Sequence, residues 1–315
     1  MLVLRAATAA TAAGAQADES AEHERPAVTF SDQTSVAWVL VPVSVRDARQ
    51  RFVRDLRARS FRLVIDGRYQ AFDSFDADAA APLSLIQLQD LSGSMDLGGK
   101  LDAARAALAC FAQGLRPGDE IALASFGAGR LSVDVPFTDL AAPVREAARA
   151  WHGYGSTALH DAVAWLPEIS LEGRHPRRAA VLVTDGADNA STLAPEVARD
   201  LVRRAQLPVY VLALGNRDRS RQVASEEARS NRALLASLAT VTGGAFFALD
   251  TTAQAATAAC HKIAAELRHQ YVLGFRITTE GTVADHRLRV EVTDPRMPFI
   301  ITHRAAYRGG ASITH

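Results

Sequence analysis

The feature that most constrains this fold is an alternation of short apolar runs and amphipathic segments between Pro82 and Arg268. Several runs are almost continuously apolar, which is typical of parallel strands covered on both faces. Between them, residues such as Leu97, Leu101 and Ala104 recur at helical spacing. This strand and helix alternation predicts a doubly wound α/β domain. The predicted strands are residues 84–89, 120–126, 131–135, 179–184, 209–214 and 245–249.

The connection between the second and third predicted strands is short. Gly127 and Gly129 leave room only for a tight turn, and a tight turn joins antiparallel strands. We therefore expect one antiparallel hairpin in an otherwise parallel, six-stranded sheet.

Sequence of β character flanks this region on both sides. Residues 35–80 contain short apolar runs and an Asp66-Gly67 pair, which is a hairpin signal. Residues 269–310 return to β character after a predicted helix at 253–268. We expect the two flanks to pack together as a small β-rich unit beside a central domain at residues 81–268.

Residues 1–34 resemble a leader followed by a polar linker. An Ala-rich run with one basic residue precedes Ala15-Gln16-Ala17, which is similar to a signal-peptidase site. We expect export to the periplasm or the extracellular space, with a cytoplasmic protein carrying a plain leader as the alternative.

Composition narrows the classes of partner. Lys+Arg and Asp+Glu are balanced at 35 each, so no net charge favours nucleic acid. No stretch approaches the roughly 20 apolar residues that a transmembrane helix needs. We therefore predict neither a nucleic-acid partner nor a transmembrane segment. Lys100 and Lys262 are the only lysines, a scarcity that we attribute to genome composition.

The two cysteines, Cys110 and Cys260, each lie in an apolar helical pattern. Two cysteines cannot form a metal cluster on their own. Buried free thiols are the favoured interpretation, and a single disulfide is the alternative if the protein is exported.

Oxygen-bearing side chains follow the predicted strands at three places. The motif Asp90-Leu91-Ser92-Gly93-Ser94 follows the first strand, a glycine-rich loop at 153–159 offers Thr157, and Asp185 follows the strand at 179–184. Ligands of open α/β sheets bind outside the carboxyl ends of the strands. We expect the side chains of these segments to converge there: Asp90, Ser92, Ser94, Thr157 and Asp185.

This set offers three hydroxyls and two carboxylates, without His or Cys. Oxygen ligands suit Mg²⁺, Mn²⁺ or Ca²⁺ and disfavour zinc or copper. If the hydroxyls coordinate directly and the aspartates act mostly through water, the metal keeps an open position. An acidic side chain of a partner can fill that position.

The Asp-x-Ser-x-Ser motif, the distant Thr157 and the distant Asp185-Gly186 resemble the metal-ion-dependent adhesion site of von Willebrand factor type A domains. The resemblance covers residues 81–268 and all five liganding positions. It implies a Rossmann-like domain that binds Mg²⁺ (or Mn²⁺ or Ca²⁺) and, through it, an Asp or Glu carboxylate of a protein partner. It also implies that the domain is not an enzyme.

The flanks extend this resemblance. Segments 41–47, 61–67 and 270–275 are similar to a bacterial subgroup of "VWFA-related" proteins, many of which are predicted to be exported. One departure is Gln89, which stands where an aliphatic residue usually precedes the motif. We expect its side chain beside the metal loop, with no ligand removed.

Two rival interpretations of the motif remain. One is a metal-dependent hydrolase or phosphatase that uses Asp90 or Ser92; the other is a purely structural metal site. Against an enzyme, the chain has no Gly-x-Ser-x-Gly elbow and no phosphate-binding loop that ends in Gly-Lys-Ser/Thr. Asp188 and Asn189, just beyond Asp185, are predicted to form a solvated turn rather than to support the site.

Overall fold

The computed structural model describes residues 36–215, 226–278, 284–294, 296 and 298–309. The predicted leader at 1–34 lies outside these residues. Within them, the chain begins with strands that belong to the N-terminal flank. They are β1 (Val36–Arg46), β2 (Phe61–Ile65), β3 (Arg68–Gln70) and β4 (Ser74–Asp76).

The central region then alternates strands and helices. Its strands are β5 (Ser84–Asp90), β6 (Glu120–Gly127), β7 (Arg130–Thr138), β8 (Arg178–Thr184), β9 (Val209–Leu214) and β10 (Phe246–Leu249). Its helices are α1 (Lys100–Gln113), α2 (Ala141–Arg149), α3 (Leu159–Leu171), α4 (Pro195–Arg204), α5 (Glu226–Thr242) and α6 (Ala253–Arg268). The C-terminal strands are β11 (Gln270–Thr278), β12 (Ala284–Val292), β13 (Ile300–Thr302) and β14 (Ala306–Gly309).

The central strands form one six-stranded sheet in the order β10-β9-β8-β5-β6-β7. Pairing is parallel from β10 to β6, and β7 runs antiparallel to β6 through the turn at Gly127–Gly129. The predicted doubly wound, mostly parallel sheet and its single hairpin are confirmed. After β5 the chain adds β6 and β7 on one side of it, and it later adds β8, β9 and β10 on the other side. The strand order therefore reverses between β5 and β8, where open α/β sheets bind their ligands.

Both faces of this sheet are buried, which explains the continuously apolar strands. Leu85 faces one core, which is covered by α1, α2 and α6. Ile86 and Leu88 face the other core, which is covered by α3, α4 and α5. A parallel strand that packs against helices on both sides has no solvent face, and apolar residues therefore fill successive positions.

The flanking strands form two further sheets. One has the order β13-β1-β11-β4 and the other β14-β12-β2-β3, so each combines strands that precede and follow the central sheet. Val41 of β1, Leu63 of β2 and Phe275 of β11 lie in one shared apolar core between the sheets. The predicted β-rich unit built from the two flanks is confirmed. The Asp66-Gly67 hairpin joins β2 and β3 as expected.

The cysteines differ from the favoured interpretation. Cys110 of α1 and Cys260 of α6 form a disulfide across 150 residues of sequence, with their Cα atoms 6.3 Å apart. The prediction of two free thiols is wrong. The reason is that α1 and α6 lie side by side on the same face of the sheet, although their strands, β5 and β10, are not neighbours.

Candidate metal centre

Asp90 is the last residue of β5, and its side chain is completely buried. Its Oδ1 accepts a 2.8 Å hydrogen bond from the backbone N–H of Ser92, and its Oδ2 accepts a 2.6 Å bond from the hydroxyl of Thr184. Burial raises the pKa of this carboxyl to about 6, although hydrogen bonds from Thr184 and Ser92 act in the opposite direction. A carboxylate that is fixed in orientation and poorly solvated favours a nearby cation.

The two serines of the motif lie next to Asp90. The hydroxyl oxygens of Ser92 and Ser94 are 3.3 Å apart. Ser92 is buried and directly precedes a short 3-10 turn at Gly93–Asp96, which carries Ser94 back toward the end of the strand. The turn thus places two hydroxyls beside the buried carboxylate.

Thr157 arrives on a loop that packs backbone to backbone against the motif. The N–H of Gly93 donates to the carbonyl of Gly155 at 3.1 Å, and the N–H of Tyr154 donates to that of Leu91 at 2.9 Å. A Cβ on Gly153 would lie 2.7 Å from the carbonyl oxygen of Ser92, a distance that real Cβ atoms essentially never show. Glycine is therefore required there for the close approach of the two loops.

Asp185 follows β8, the parallel neighbour of β5, and its carboxylate is paired with a lysine. Its Oδ2 lies 2.6 Å from the Nζ atom of Lys100, and the same Nζ atom donates to the carbonyl oxygen of Ser94 at 2.9 Å. The ion pair is mostly buried, with 18% of the lysine side chain and 10% of the aspartate side chain exposed. The side-chain ammonium group of Lys100 thus contacts two oxygen atoms of the candidate site, one from Asp185 and one from Ser94.

The segment after Asp185 supports the site, contrary to the prediction of a solvated turn. The Asp188 side chain is only 10% exposed and lies 3.1 Å from Nδ1 of His160. The Oδ1 atom of Asn189 accepts a 2.8 Å hydrogen bond from the N–H of Thr157, which fixes the loop that carries this threonine. The solvated-turn prediction is wrong for Asp188. For Asn189 the prediction missed the hydrogen bond to Thr157, because a sequence pattern does not reveal a contact between residues 32 positions apart.

Gln89 is fully buried, and its Nε2 atom donates a 2.8 Å hydrogen bond to the carbonyl oxygen of Asp90. Its Oε1 atom accepts from the side chain of Gln87 at 3.3 Å. The departure from an aliphatic residue therefore adds a hydrogen bond to the backbone of the metal loop.

Direct contacts link Asp90, Ser92 and Ser94, and Lys100 links Ser94 to Asp185. Thr157 is held against this group by the backbone contacts of its loop. The candidate ligand atoms are all oxygens, as hard divalent cations require. These residues therefore fit a divalent cation. In the described part of the chain, no three His, Cys, Asp or Glu side chains cluster as a metal site.

Sequence reasoning missed three residues that shape the site: Thr184, Lys100 and Asn189. A usable signal existed for Lys100, because it is one of only two lysines in the chain and it follows the motif by six residues.

The family comparison bears directly on this arrangement. The family model described as "von Willebrand factor type A domain" matches residues 85–187, a stretch that begins in β5 and ends just after Asp185. The chain therefore contains a von Willebrand factor type A domain. The candidate ligands of the metal all lie within the matched residues. A comparison with curated proteins yields no significant match.

Solved structures are similar to this chain at low sequence identity. Proximal thread matrix protein 1 from the mussel byssus aligns with a TM-score of 0.51 and 15% identity, over 65% of this chain and 50% of that one. A von Willebrand factor type A protein from Catenulispora acidiphila aligns with a TM-score of 0.49 and 13% identity, over 89% and 74%. The corresponding domain of the type V pili tip protein Mfa5 from Porphyromonas gingivalis gives 0.46 and 13%, over 59% and 96%.

Among the described helices, none is long and apolar enough to cross a membrane.

Proposed function

We propose that this von Willebrand factor type A domain is a protein-interaction module that depends on a divalent cation. Asp90, Ser92, Ser94, Thr157 and Asp185 would hold Mg²⁺, or Mn²⁺ or Ca²⁺ in its place. The bound cation would supply an electrophilic position for an Asp or Glu carboxylate of the partner. The domain itself would catalyse no reaction.

The observation that carries this proposal is the environment of Asp90. Its carboxylate is buried at the end of a parallel strand and has two serine hydroxyls beside it. A buried carboxylate with a raised pKa is costly to ionise, and a bound cation offsets that cost. The neighbouring donors are neutral hydroxyls, which leave much of the cation's charge available to an anionic ligand.

Exposed apolar side chains beside the motif also support a role in binding a partner. Leu97 and Tyr154 flank the motif and are 66% and 38% exposed. Exposed apolar side chains around a polar centre are common where a partner protein docks.

The disulfide between Cys110 and Cys260 supports export. Structural disulfides persist in oxidising compartments and are rare in the cytosol. We therefore propose that the chain functions in the periplasm or outside the cell, with the cytoplasm as the alternative.

The hydrolase alternative draws on one observation, namely that a carboxyl of raised pKa lies beside the Ser92 hydroxyl. However, a serine nucleophile is usually activated by a base that a third group orients. The histidine near the start of α3, His160, is engaged with Asp188 instead. The binding module therefore explains more of the site than the enzyme does.

The experiment that tests the proposal uses an immobilised library of peptides that each carry one Glu, with matched Gln peptides as the control. We expect Glu-dependent binding that disappears with EDTA, returns with Mg²⁺ or Mn²⁺, and is lost in Asp90→Ala. Binding that ignores both EDTA and the Glu-to-Gln change would refute the adhesion mechanism. Phosphatase or esterase turnover that is lost in Ser92→Ala would instead favour the enzyme. Metal-dependent stability without peptide binding would indicate a structural site.

A further inference from the structure

Lys100 occupies an unusual position for a cationic residue. It is the first residue of α1, and the N-terminal end of a helix carries a partial positive charge that disfavours a nearby cation. The preceding Gly98 and Gly99 have φ values of 66° and 77°, a turn that only glycine forms without strain. Through this turn the helix begins directly beside the metal loop, and the lysine ammonium reaches Asp185 and the carbonyl of Ser94.

The contact changes the charge of the site. The five candidate ligands bring two carboxylates, those of Asp90 and Asp185. The ammonium of Lys100 lies 2.6 Å from one of them, in an environment that is shielded from solvent. Charges at this distance and burial interact far more strongly than in water. The set therefore presents about one net negative charge to a cation of charge two.

We propose that Lys100 sets the charge of the metal site, so that the cation is held weakly until an anionic ligand supplies the missing charge. This inference rests on the proposed function. Lys100 is a positioning residue in this account: it holds the Asp185 carboxylate and lowers its pull on the cation. Binding of the cation and binding of a carboxylate would then favour each other, because each reduces the charge imbalance left by the other.

A lysine suits this task better than an arginine. Its ammonium is a compact point charge, whereas a guanidinium is planar and binds a carboxylate through two parallel bonds. Nearly every other basic residue of the chain is arginine, which makes Lys100 a distinctive choice here.

The test is calorimetric titration of Mn²⁺ into the full chain, the Lys100→Met variant and the Lys262→Met control. Lys262 is the other lysine and lies exposed on α6. Lys100→Met should bind Mn²⁺ at least about tenfold more tightly, because the competing charge is gone. It should also melt at a lower temperature in EDTA, because Asp185 has lost its partner. Lys262→Met should match the wild type in both measurements.

A double-mutant cycle that combines Lys100→Met with Asp185→Asn tests whether Lys100 acts through its charge on Asp185 or only by supporting the local structure. In the wild type this substitution should weaken Mn²⁺ binding little, whereas in Lys100→Met it should weaken binding by about tenfold or more, a clear departure from additivity. Acetate serves as the carboxylate probe and should tighten Mn²⁺ binding more in the wild type than in Lys100→Met. Unchanged or weaker Mn²⁺ binding in Lys100→Met, an additive cycle, or an equal effect of acetate on both proteins would overturn the inference. If neither protein binds Mn²⁺, the proposed function itself fails.

Discussion

Thr184 and Asp90 are joined by a 2.6 Å hydrogen bond from the threonine hydroxyl to Oδ2 of the carboxylate. The two residues end adjacent parallel strands, β8 and β5, and are separated by 94 positions in the sequence. The same hydroxyl accepts a 3.0 Å hydrogen bond from the N–H of Gly186. One side chain thus connects the Asp90 carboxylate to the loop that carries Asp185.

Replacing Thr184 with Val tests this connection. The change removes the donor to a buried carboxylate and the acceptor for Gly186, and it should lower the free energy of unfolding by about 1–3 kcal/mol. Urea denaturation in EDTA measures the loss. Thr240→Val, on the exposed side of α5, is the matched control and should change stability by less than about 0.5 kcal/mol. Equal effects of the two substitutions would show that the Thr184 bond is unimportant.

Asp90→Asn should change how the stability of the metal-free protein depends on pH. The folded-state pKa of about 6 exceeds the ordinary value of 3.8, so the folded protein holds its proton more tightly than the unfolded chain. Stability from this group is fully present below about pH 4 and is lost as the pH rises to about 6. Asn cannot ionise, so the variant should lack this decline and be more stable at pH 7 by about 1–3 kcal/mol.

The measurement for this prediction is the melting temperature in EDTA between pH 4 and pH 7, for the wild type and Asp90→Asn. The difference between the two curves isolates the titration of Asp90. Parallel curves across this range would show that Asp90 has an ordinary pKa.

Much of the fold was predictable from the sequence. The strands β5, β6, β8 and β9 are buried on both faces, and they are therefore recognisable as almost continuously apolar runs. The short flanking strands were harder. The short strands β3 and β4 both lie within residues 68–76, yet β3 pairs with β2 in one sheet and β4 pairs with β11 in the other. A local pattern does not specify which sheet a three-residue strand joins, because the partner lies far away in the sequence.

The candidate site likewise contains residues that the sequence predicted and residues that it did not. Asp90, Ser92 and Ser94 share a short motif, and the positions of Thr157 and Asp185 after predicted elements made their convergence a reasonable expectation. The contacts of Lys100, Thr184 and Asn189 depend on the geometry of loops from different strands. The disulfide was missed for a related reason, since the packing of α1 against α6 follows from the strand order and not from either helix alone.

Loss of the disulfide should destabilise the protein substantially. The Cys110–Cys260 bond closes a loop of 150 residues, and bonds that close long loops restrict the unfolded chain most. Reduction should lower the free energy of unfolding by about 2–5 kcal/mol. Urea denaturation with and without a phosphine reductant gives this value. A Cys110→Ala/Cys260→Ala variant should be insensitive to the reductant, and an insensitive wild type would mean that the bond contributes nothing.

The close packing of two loops predicts the effect of Gly153→Ala. The added Cβ would lie 2.7 Å from both the Ser92 carbonyl oxygen and the Asp96 backbone nitrogen, so the loop that carries Thr157 must move. Mn²⁺ affinity should fall by tenfold or more, on the order of 1.4 kcal/mol. Gly215→Ala is the control, because a Cβ there meets no atom of the described residues within 4 Å. Similar Mn²⁺ affinities in both variants would argue against a role for the Thr157 loop.

The central claim is that five oxygen-bearing residues hold one divalent cation, and electron paramagnetic resonance of free Mn²⁺ during a titration tests it most directly. We predict one bound Mn²⁺ per chain, displaced by Mg²⁺, with binding abolished in Asp90→Ala and strongly weakened in Ser92→Ala and Thr157→Val. The variants should keep the melting temperature of a folded protein in EDTA, so that loss of binding is not loss of the fold. Absence of stoichiometric binding by the wild type, or undiminished binding by all three variants, would contradict the account.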